Sequence, residues 1–256
     1  MNELLKLGLC NKFYPGSNLH VIIGFFAVFV ICYLLGSLNF GIIISKIFYH
    51  DDVRKHGSGG SGMTNMLRTY GKIPAAATFL GDGLKTVAAV FIGAVFLGRN
   101  NTVFVYETVP YIGFAGMYIG GLASIIGHAF PVYYGFRGGR GVAAVFFMVL
   151  CTEPVIGIIC FAIFAAIVAG TKYISLGSIM AVLIYPLILN RMTGYGFHNL
   201  VAIFIALLIV YLHRANIQRL MNGTENKLSL KNPKNGKKEK ENKVKTKAKD
   251  SREKST

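Results

Sequence analysis

Seven apolar runs, at about residues 20–48, 73–98, 108–127, 141–152, 155–171, 175–190 and 198–213, leave this chain few ways to fold. Runs of about 17–25 apolar residues match the thickness of a bilayer core when helical. Inside lipid, only structures that satisfy their own backbone hydrogen bonds are stable. The sequence therefore predicts an all-α integral membrane protein with about seven transmembrane helices. The first run is long enough to break near Gly36 and Ser37, and the fourth is short. The apolar share of 53% exceeds the ~45–50% of soluble domains. No cleavable leader is evident. Pro15, Gly16 and Asn18 precede the first run, and no small-residue cleavage pattern follows it.

Lysine and arginine collect in cytoplasmic loops. Arg54, Lys55, Arg68 and Lys72 fall between the first two runs, Arg137 and Arg140 between the third and fourth, and Lys172 between the fifth and sixth. The opposite side holds Lys6, Lys12, Arg99 and Arg191. This predicts an external N-terminus, a cytoplasmic C-terminus and motif loops on the cytoplasmic side. Three parts follow: a short external segment (1–18), a transmembrane domain (19–226) and a basic tail (227–256) whose composition predicts disorder. Residues 226–256 carry twelve basic and four acidic side chains. Such a strip is either drawn to anionic lipid headgroups, at about 1 kcal/mol per basic residue, or simply solvated. Much of the net charge of +16 sits there, so it does not argue for nucleic acid, and no nucleic-acid-binding signature is present. Cys10, Cys32, Cys151 and Cys160 form no CxxC pair, which predicts buried thiols rather than a metal site. No metal or cofactor is expected.

Against this background three polar clusters stand out. The first, GSGGSGMTNMLR, spans Gly57 to Arg68. A glycine-rich loop entering a helix can present backbone N–H groups to an anion. Gly57 and Gly59 belong to that loop, Ser58, Thr64 and Asn65 add neutral donors, and Arg68 adds a fork suited to phosphate. A flexible linker would need neither the asparagine nor the arginine. In the second cluster, GHAFPVYYGFRGGRG, His128, Arg137 and Arg140 surround Gly138, Gly139 and Gly141. Two arginines spaced by two glycines are again a phosphate-type arrangement, and their bland alternative is a topology signal. The third, HRANIQRLMNGTEN, sets His213, Asn216 and Arg219 three apart on one helix face. Gly223 closes that helix, and Glu225 can hold an arginine in place.

Two further features lie nearer the membrane interior. Asp82 and Lys85 are one turn apart within the second run, where ionisable groups pair or line a cavity; a structural or orienting role is expected. Ser175 and Ser178 follow Lys172 near another helix end.

These clusters, in order, resemble the bacterial acyl-phosphate:glycerol-3-phosphate acyltransferases of the PlsY family. That family shows GSGNxGATNxxR, GHxFPVFxxFKGGKGVAT and HxxNxxRLxxGxE, and the resemblance covers about residues 25–226. Gly60 stands for the family asparagine, Met63 for an alanine, Arg137 and Arg140 for two lysines, Asn39 for a proline and Ala144 for a threonine. The resemblance implies transfer of a fatty acyl group from acyl phosphate to the 1-hydroxyl of glycerol 3-phosphate, giving 1-acylglycerol 3-phosphate and phosphate. This is the first step of phospholipid synthesis, placed in the bacterial cytoplasmic membrane. Partners are the two substrates, membrane lipids and an upstream enzyme that forms the acyl phosphate. Expected catalytic residues are Ser58, Arg68, Arg140 and His213. Expected phosphate-binding residues are Gly57, Gly59, Thr64, Asn65, Arg137, Gly138, Gly139, Gly141, Ser175, Asn216 and Arg219. His128, Asp82, Lys85 and Glu225 support them.

The chemistry fits. Two phosphate-bearing substrates need donors and cations, the acyl chain needs a lipid-side slot, and phosphate is a good leaving group that cations stabilise. Acyltransferases that use acyl-CoA or acyl-carrier protein often place an aspartate five positions after a histidine, and none of the six histidines here has one. His128 and His213 are the candidate bases by type; a substrate phosphate oxygen is the preferred proton acceptor. The alternatives are a membrane transporter of phosphate or an organophosphate, and an inactive scaffold. Transporters place their sites near the midplane, often between inverted repeats, and no internal repeat is present.

Overall fold

The computed structural model describes residues 18–97, 115–194 and 196–228. The N-terminal segment through residue 17, expected to be external, the start of the third apolar run and the basic tail beyond 228 lie outside the described residues.

Among the described residues the secondary structure is helical throughout. The helices are α1 (Asn18–Gly36), α2 (Phe40–Tyr49), α3 (Met63–Thr69), α4 (Lys72–Leu97), α5 (Ala115–Ala129), α6 (Val142–Thr152), α7 (Pro154–Thr171), α8 (Ile174–Thr193), α9 (Gly196–Leu212) and α10 (Arg214–Met221). Each expected apolar run is helical where described, except for the break at residues 37–39 inside the first run and the edge residues Gly141 and His213. Five segments are long and apolar enough to cross a membrane: Ile23–Tyr49, Lys72–Leu97, Ala115–Tyr134, Pro154–Thr171 and Ile174–Thr193. A sixth forms if α9 and α10 are joined across their 59° bend. The fourth run differs from a full span. At eleven residues, α6 is about 16 Å long at ~1.5 Å per residue, half of a ~30 Å hydrocarbon core. It ends because Pro154 opens α7 at once, and a proline cannot continue the ladder of the preceding helix.

The helices pack in two groups. Val28 and Cys32 of α1 meet Ala89 and Leu97 of α4 and Ala123 of α5. Small residues let the backbones touch: a Cβ at Gly120 would run into the Ala89 carbonyl. Close approach through small residues is the usual way helices associate in lipid, where apolar burial gains nothing. The second group joins α5 through α9 around Tyr118, Met148, Ile156, Tyr185 and Ile205. Large apolar side chains such as Leu84, Leu187 and Leu200 remain more than half exposed on the outside, as expected of a lipid-facing surface.

Candidate active site

The break between α1 and α2 explains the two charges buried in α4. At a break, carbonyls ending one helix and amides starting the next lose their partners. Lys85 Nζ donates to Leu38 O at 2.6 Å, while Phe40 N donates to Asp82 Oδ1 at 3.3 Å. The two side chains pair at 2.8 Å and are almost fully buried. Asp82 and Lys85 thus straddle the break, each satisfying one side of it. His128 Nδ1 lies 3.1 Å from Lys85 Nζ, and Asn39 Nδ2 donates to His128 O at 2.9 Å. This network joins the broken span to the end of α5, and Asp82 and His128 also face the site cavity.

The first cluster is a loop organised by its own asparagine. Asn65 Nδ2 donates to Val53 O, His56 O and Gly60 O at 2.8–3.0 Å. Its Oδ1 accepts from Ser58 N at 3.0 Å. The Asn65 amide is therefore spent on the loop backbone. Gly57 has a φ of +56°, and a Cβ there would collide with Asn65 Oδ1, so glycine is required by conformation and by space. Gly60 and Gly62 instead face open space and line the cavity with Ser58, Thr64 and Arg68.

The second loop is built differently from its sequence appearance. Gly138 N donates to Ala129 O at 3.2 Å and Gly139 N to His128 O at 3.1 Å. These amides close the C-terminus of α5 and are not turned toward an anion. Added Cβ atoms would strike His128 O at Gly138 and the His128 ring at Gly139. Both glycines are there for packing. The expected arginine pair is also divided: Arg140 lines the cavity, whereas Arg137 is exposed.

Arg54, which the motif reading missed, fixes this loop from the other side. Its Nη1 donates to Tyr134 O at 2.9 Å and to Arg137 O at 2.8 Å. Its Nε and Nη2 fork onto Asp52. The signal was present as Asp-Val-Arg just before the first glycine, a pattern in which Asp52 caps the turn at Val53–Lys55 by accepting from Arg54 N.

The third cluster meets the site at the hinge between α9 and α10. His213 is 2% exposed, and its Nδ1 lies 2.8 Å from Ile209 O. A carbonyl oxygen only accepts, so Nδ1 carries the proton and Nε2 is the bare nitrogen of the neutral ring. Past α10 the chain turns back and buries Glu225. Its Oε1 accepts from Ser175 Oγ at 2.9 Å and Asn216 Nδ2 at 2.8 Å, and its Oε2 from Arg219 Nε at 2.7 Å. Beside it, Arg68 Nη2 donates to Asn226 O at 3.2 Å.

Together these elements enclose a cavity of about 440 Å³. Its polar end holds Ser58, Thr64, Arg68, Arg140, Gly141, Ser175, His213, Asn216 and Glu225, and its apolar arm runs between α6, α7 and α8. All four expected catalytic residues reach it. Of the expected phosphate ligands, Gly57, Gly59, Arg137, Gly138, Gly139 and Arg219 do not line it, nor does Lys85 of the supporting set. Three guanidiniums gather around one carboxylate. Burial lowers the Arg140 pKa to about 10, with Arg219 and Arg68 adding to the shift and Glu225 opposing it. Arg68 is lowered too, chiefly by burial and also by Arg219, against the opposing pull of Glu225. Both remain charged near neutral pH. The two carboxylates that line the cavity, Asp82 and Glu225, are paired with Lys85 and Arg219 behind its wall, so the charges of Arg68 and Arg140 are left in excess and favour an anionic ligand.

A family model described as glycerol-3-phosphate acyltransferase matches residues 26–223. A glycerol-3-phosphate acyltransferase of Clostridioides difficile is 39% identical over 210 residues, 82% of this chain and 98% of that one. One from Finegoldia magna is 36% identical, covering 78% and 93%. A crystal structure of PlsY (YgiH), an integral membrane glycerol 3-phosphate acyltransferase, in its glycerol 3-phosphate form, superposes with a TM-score of 0.68 at 32% identity. It covers 80% of this chain and 96% of that one.

Proposed function

Because the chain belongs to the glycerol-3-phosphate acyltransferase family, we propose that its cavity transfers an acyl group from acyl phosphate to glycerol 3-phosphate. The products are 1-acylglycerol 3-phosphate and inorganic phosphate. The observation that carries this reading is that Arg68 and Arg140, beside the Arg219–Glu225 ion pair, line the head of a cavity whose other arm is apolar. An acyl phosphate has the same layout, a dianionic head on a hydrocarbon chain.

We infer the following roles from the residues that line the cavity. Arg140 and Arg68 hold the phosphates, and Arg140 stabilises the charge that grows on the leaving group. Ser58 and Thr64 hydrogen-bond substrate oxygens from the first loop. His213 Nε2 accepts a hydrogen bond from the 2-hydroxyl of glycerol 3-phosphate and so holds the 1-hydroxyl, whose proton stays free, toward the acyl carbonyl. As the new C–O bond forms and the C–O bond to phosphate breaks, a substrate phosphate oxygen takes the hydroxyl proton. Asn65, Gly138, Gly139, Arg54 and His128 shape the loops. Glu225 fixes Ser175, Asn216 and Arg219. The polar end faces the cytoplasm of a bacterial cell, where glycerol 3-phosphate and an enzyme forming acyl phosphate are available. The transport alternative would need a site at the midplane, but these cations gather at helix ends.

Donor preference tests the reading. Purified protein supplied with labelled glycerol 3-phosphate should form product with palmitoyl phosphate and not with palmitoyl-CoA; the reverse preference would overturn it. His213→Gln should keep most of the turnover number while raising the glycerol 3-phosphate KM, and a turnover loss above about a thousandfold would make His213 the base instead. For sidedness, single cysteines placed within 59–62, 137–141 and 222–226 should all label from the cytoplasm.

A further inference from the structure

The apolar arm of the cavity has a definite end. On α8 one face lines it from Ser175 through Ser178 and Val182 to Tyr185. Ten residues separate Ser175 from Tyr185, about 15 Å of helix at ~1.5 Å per residue. Val149, near the end of α6, and Gly157, early in α7, line the cavity as well, and Val149 shares an apolar cluster with Tyr185. Beyond Tyr185 the arm is closed. Tyr185 is 1% exposed, its side chain bears on that of Tyr118, and both belong to the apolar cluster with Ile156, Leu189 and Val201. The side of the arm is less closed, because Phe161 lines it and is 49% exposed on the outer surface of α7.

We propose that Tyr185 is a specificity-determining residue, the floor that sets how much of a straight acyl chain the enzyme grips. This rests on the acyl-transfer reading above. An extended hydrocarbon advances about 1.3 Å per carbon for bonds near 1.5 Å, so a chain whose carbonyl sits at the polar end meets the Tyr185 ring after about twelve carbons. Up to that length each added methylene is buried against Val182, Val149 and their neighbours. Longer chains turn aside past Phe161 into lipid, where further methylenes gain nothing relative to the membrane. The enzyme thus measures the first dozen carbons and tolerates the rest.

The test is a series of acyl phosphates from eight to eighteen carbons, assayed at fixed detergent. Wild-type kcat/KM should rise with each methylene that packs against the arm, by up to about fourfold where the chain is drawn from water, and level off near twelve. Tyr185→Ala should move that break about three carbons longer. Val182→Phe should move it shorter, and Tyr185→Phe, which keeps the ring, should leave it in place. A Tyr185→Ala enzyme with an unmoved break, or a wild type with no break, would overturn the proposal. Should Tyr185→Ala fail to fold, Val182→Phe decides: an unmoved break there is equally fatal. Absence of transfer at every length would count against the acyl-phosphate reading instead. The floor is then read from calorimetric binding of alkyl phosphates of the same lengths, where the same break and the same shifts are expected.

Discussion

Replacing Glu225 by glutamine tests the architecture of the site through one oxygen. Glu225 is 7% exposed, and Arg219 Nε meets its Oε2 at 2.7 Å. The amide oxygen of glutamine can still accept from Ser175 and Asn216, so the change chiefly removes the charged bond to Arg219. A hydrogen bond to a charged group contributes about 1.5–3 kcal/mol, and leaving a charge buried without its partner costs about 3–5 kcal/mol. Arg219 keeps a side-chain exposure of 31%, so water recovers part of the loss, and about 2–3 kcal/mol is expected. For a chain of this size that lowers the Tm by roughly 4–12 °C. The pH dependence supplies a second readout. Burial raises the Glu225 pKa, but the bonds from Arg219, Asn216 and Ser175 outweigh it and hold it below the usual range. A depressed carboxylate contributes stability above its unfolded pKa of about 4.3 and loses it as pH falls through the lower folded value. Wild type should therefore lose Tm below about pH 4.5 more steeply than Glu225→Gln. Thermal melting in detergent from pH 3.5 to 7.5 measures both effects. A variant within 1 °C of wild type at neutral pH, with an identical acid limb, would refute the reasoning.

Three other substitutions have definite expectations. Arg140→Lys should retain most activity because charge is its role, whereas Arg140→Ala should lose on the order of a hundredfold in kcat/KM; equal behaviour would remove it from phosphate binding. Lys85→Met leaves Asp82 buried without its cation and should destabilise by about 3–5 kcal/mol, read as lower Tm and yield, while the Asp82→Asn, Lys85→Met pair should recover part of it. Arg54→Ala frees the carbonyls of Tyr134 and Arg137, so the glycerol 3-phosphate KM should rise several-fold with a smaller change in kcat, and guanidinium added at millimolar concentration should partly restore it.

Much of this arrangement was legible in the chain. Hydropathy located the helices and the break after Gly36, and motif order gathered Arg68, Arg140 and His213 into one expected site. Composition could not say what each glycine is for. Gly60 and Gly62 open onto the cavity, whereas Gly138 and Gly139 make room for His128, and both pairs look alike as letters. Asn65 was read as a donor to substrate, yet its amide is consumed by three carbonyls and an N–H brought close by tertiary turns. Arg137 and Arg140 share a motif but not a direction, because Arg54 pins the Arg137 carbonyl before the chain turns inward. Asp82 and Lys85 were expected to pair, but that they bridge the break in the first span depends on a contact more than forty residues away in sequence.

The central claim is that one cavity, headed by Arg68 and Arg140, couples acyl transfer to phosphate release. Its most direct measurement follows both products in one reaction of purified protein with palmitoyl phosphate and glycerol 3-phosphate. The account predicts one inorganic phosphate for each 1-palmitoylglycerol 3-phosphate, with both falling together on the order of a hundredfold in Arg140→Ala. Phosphate release that persists without glycerol 3-phosphate, or acyl product formed without phosphate, would contradict it.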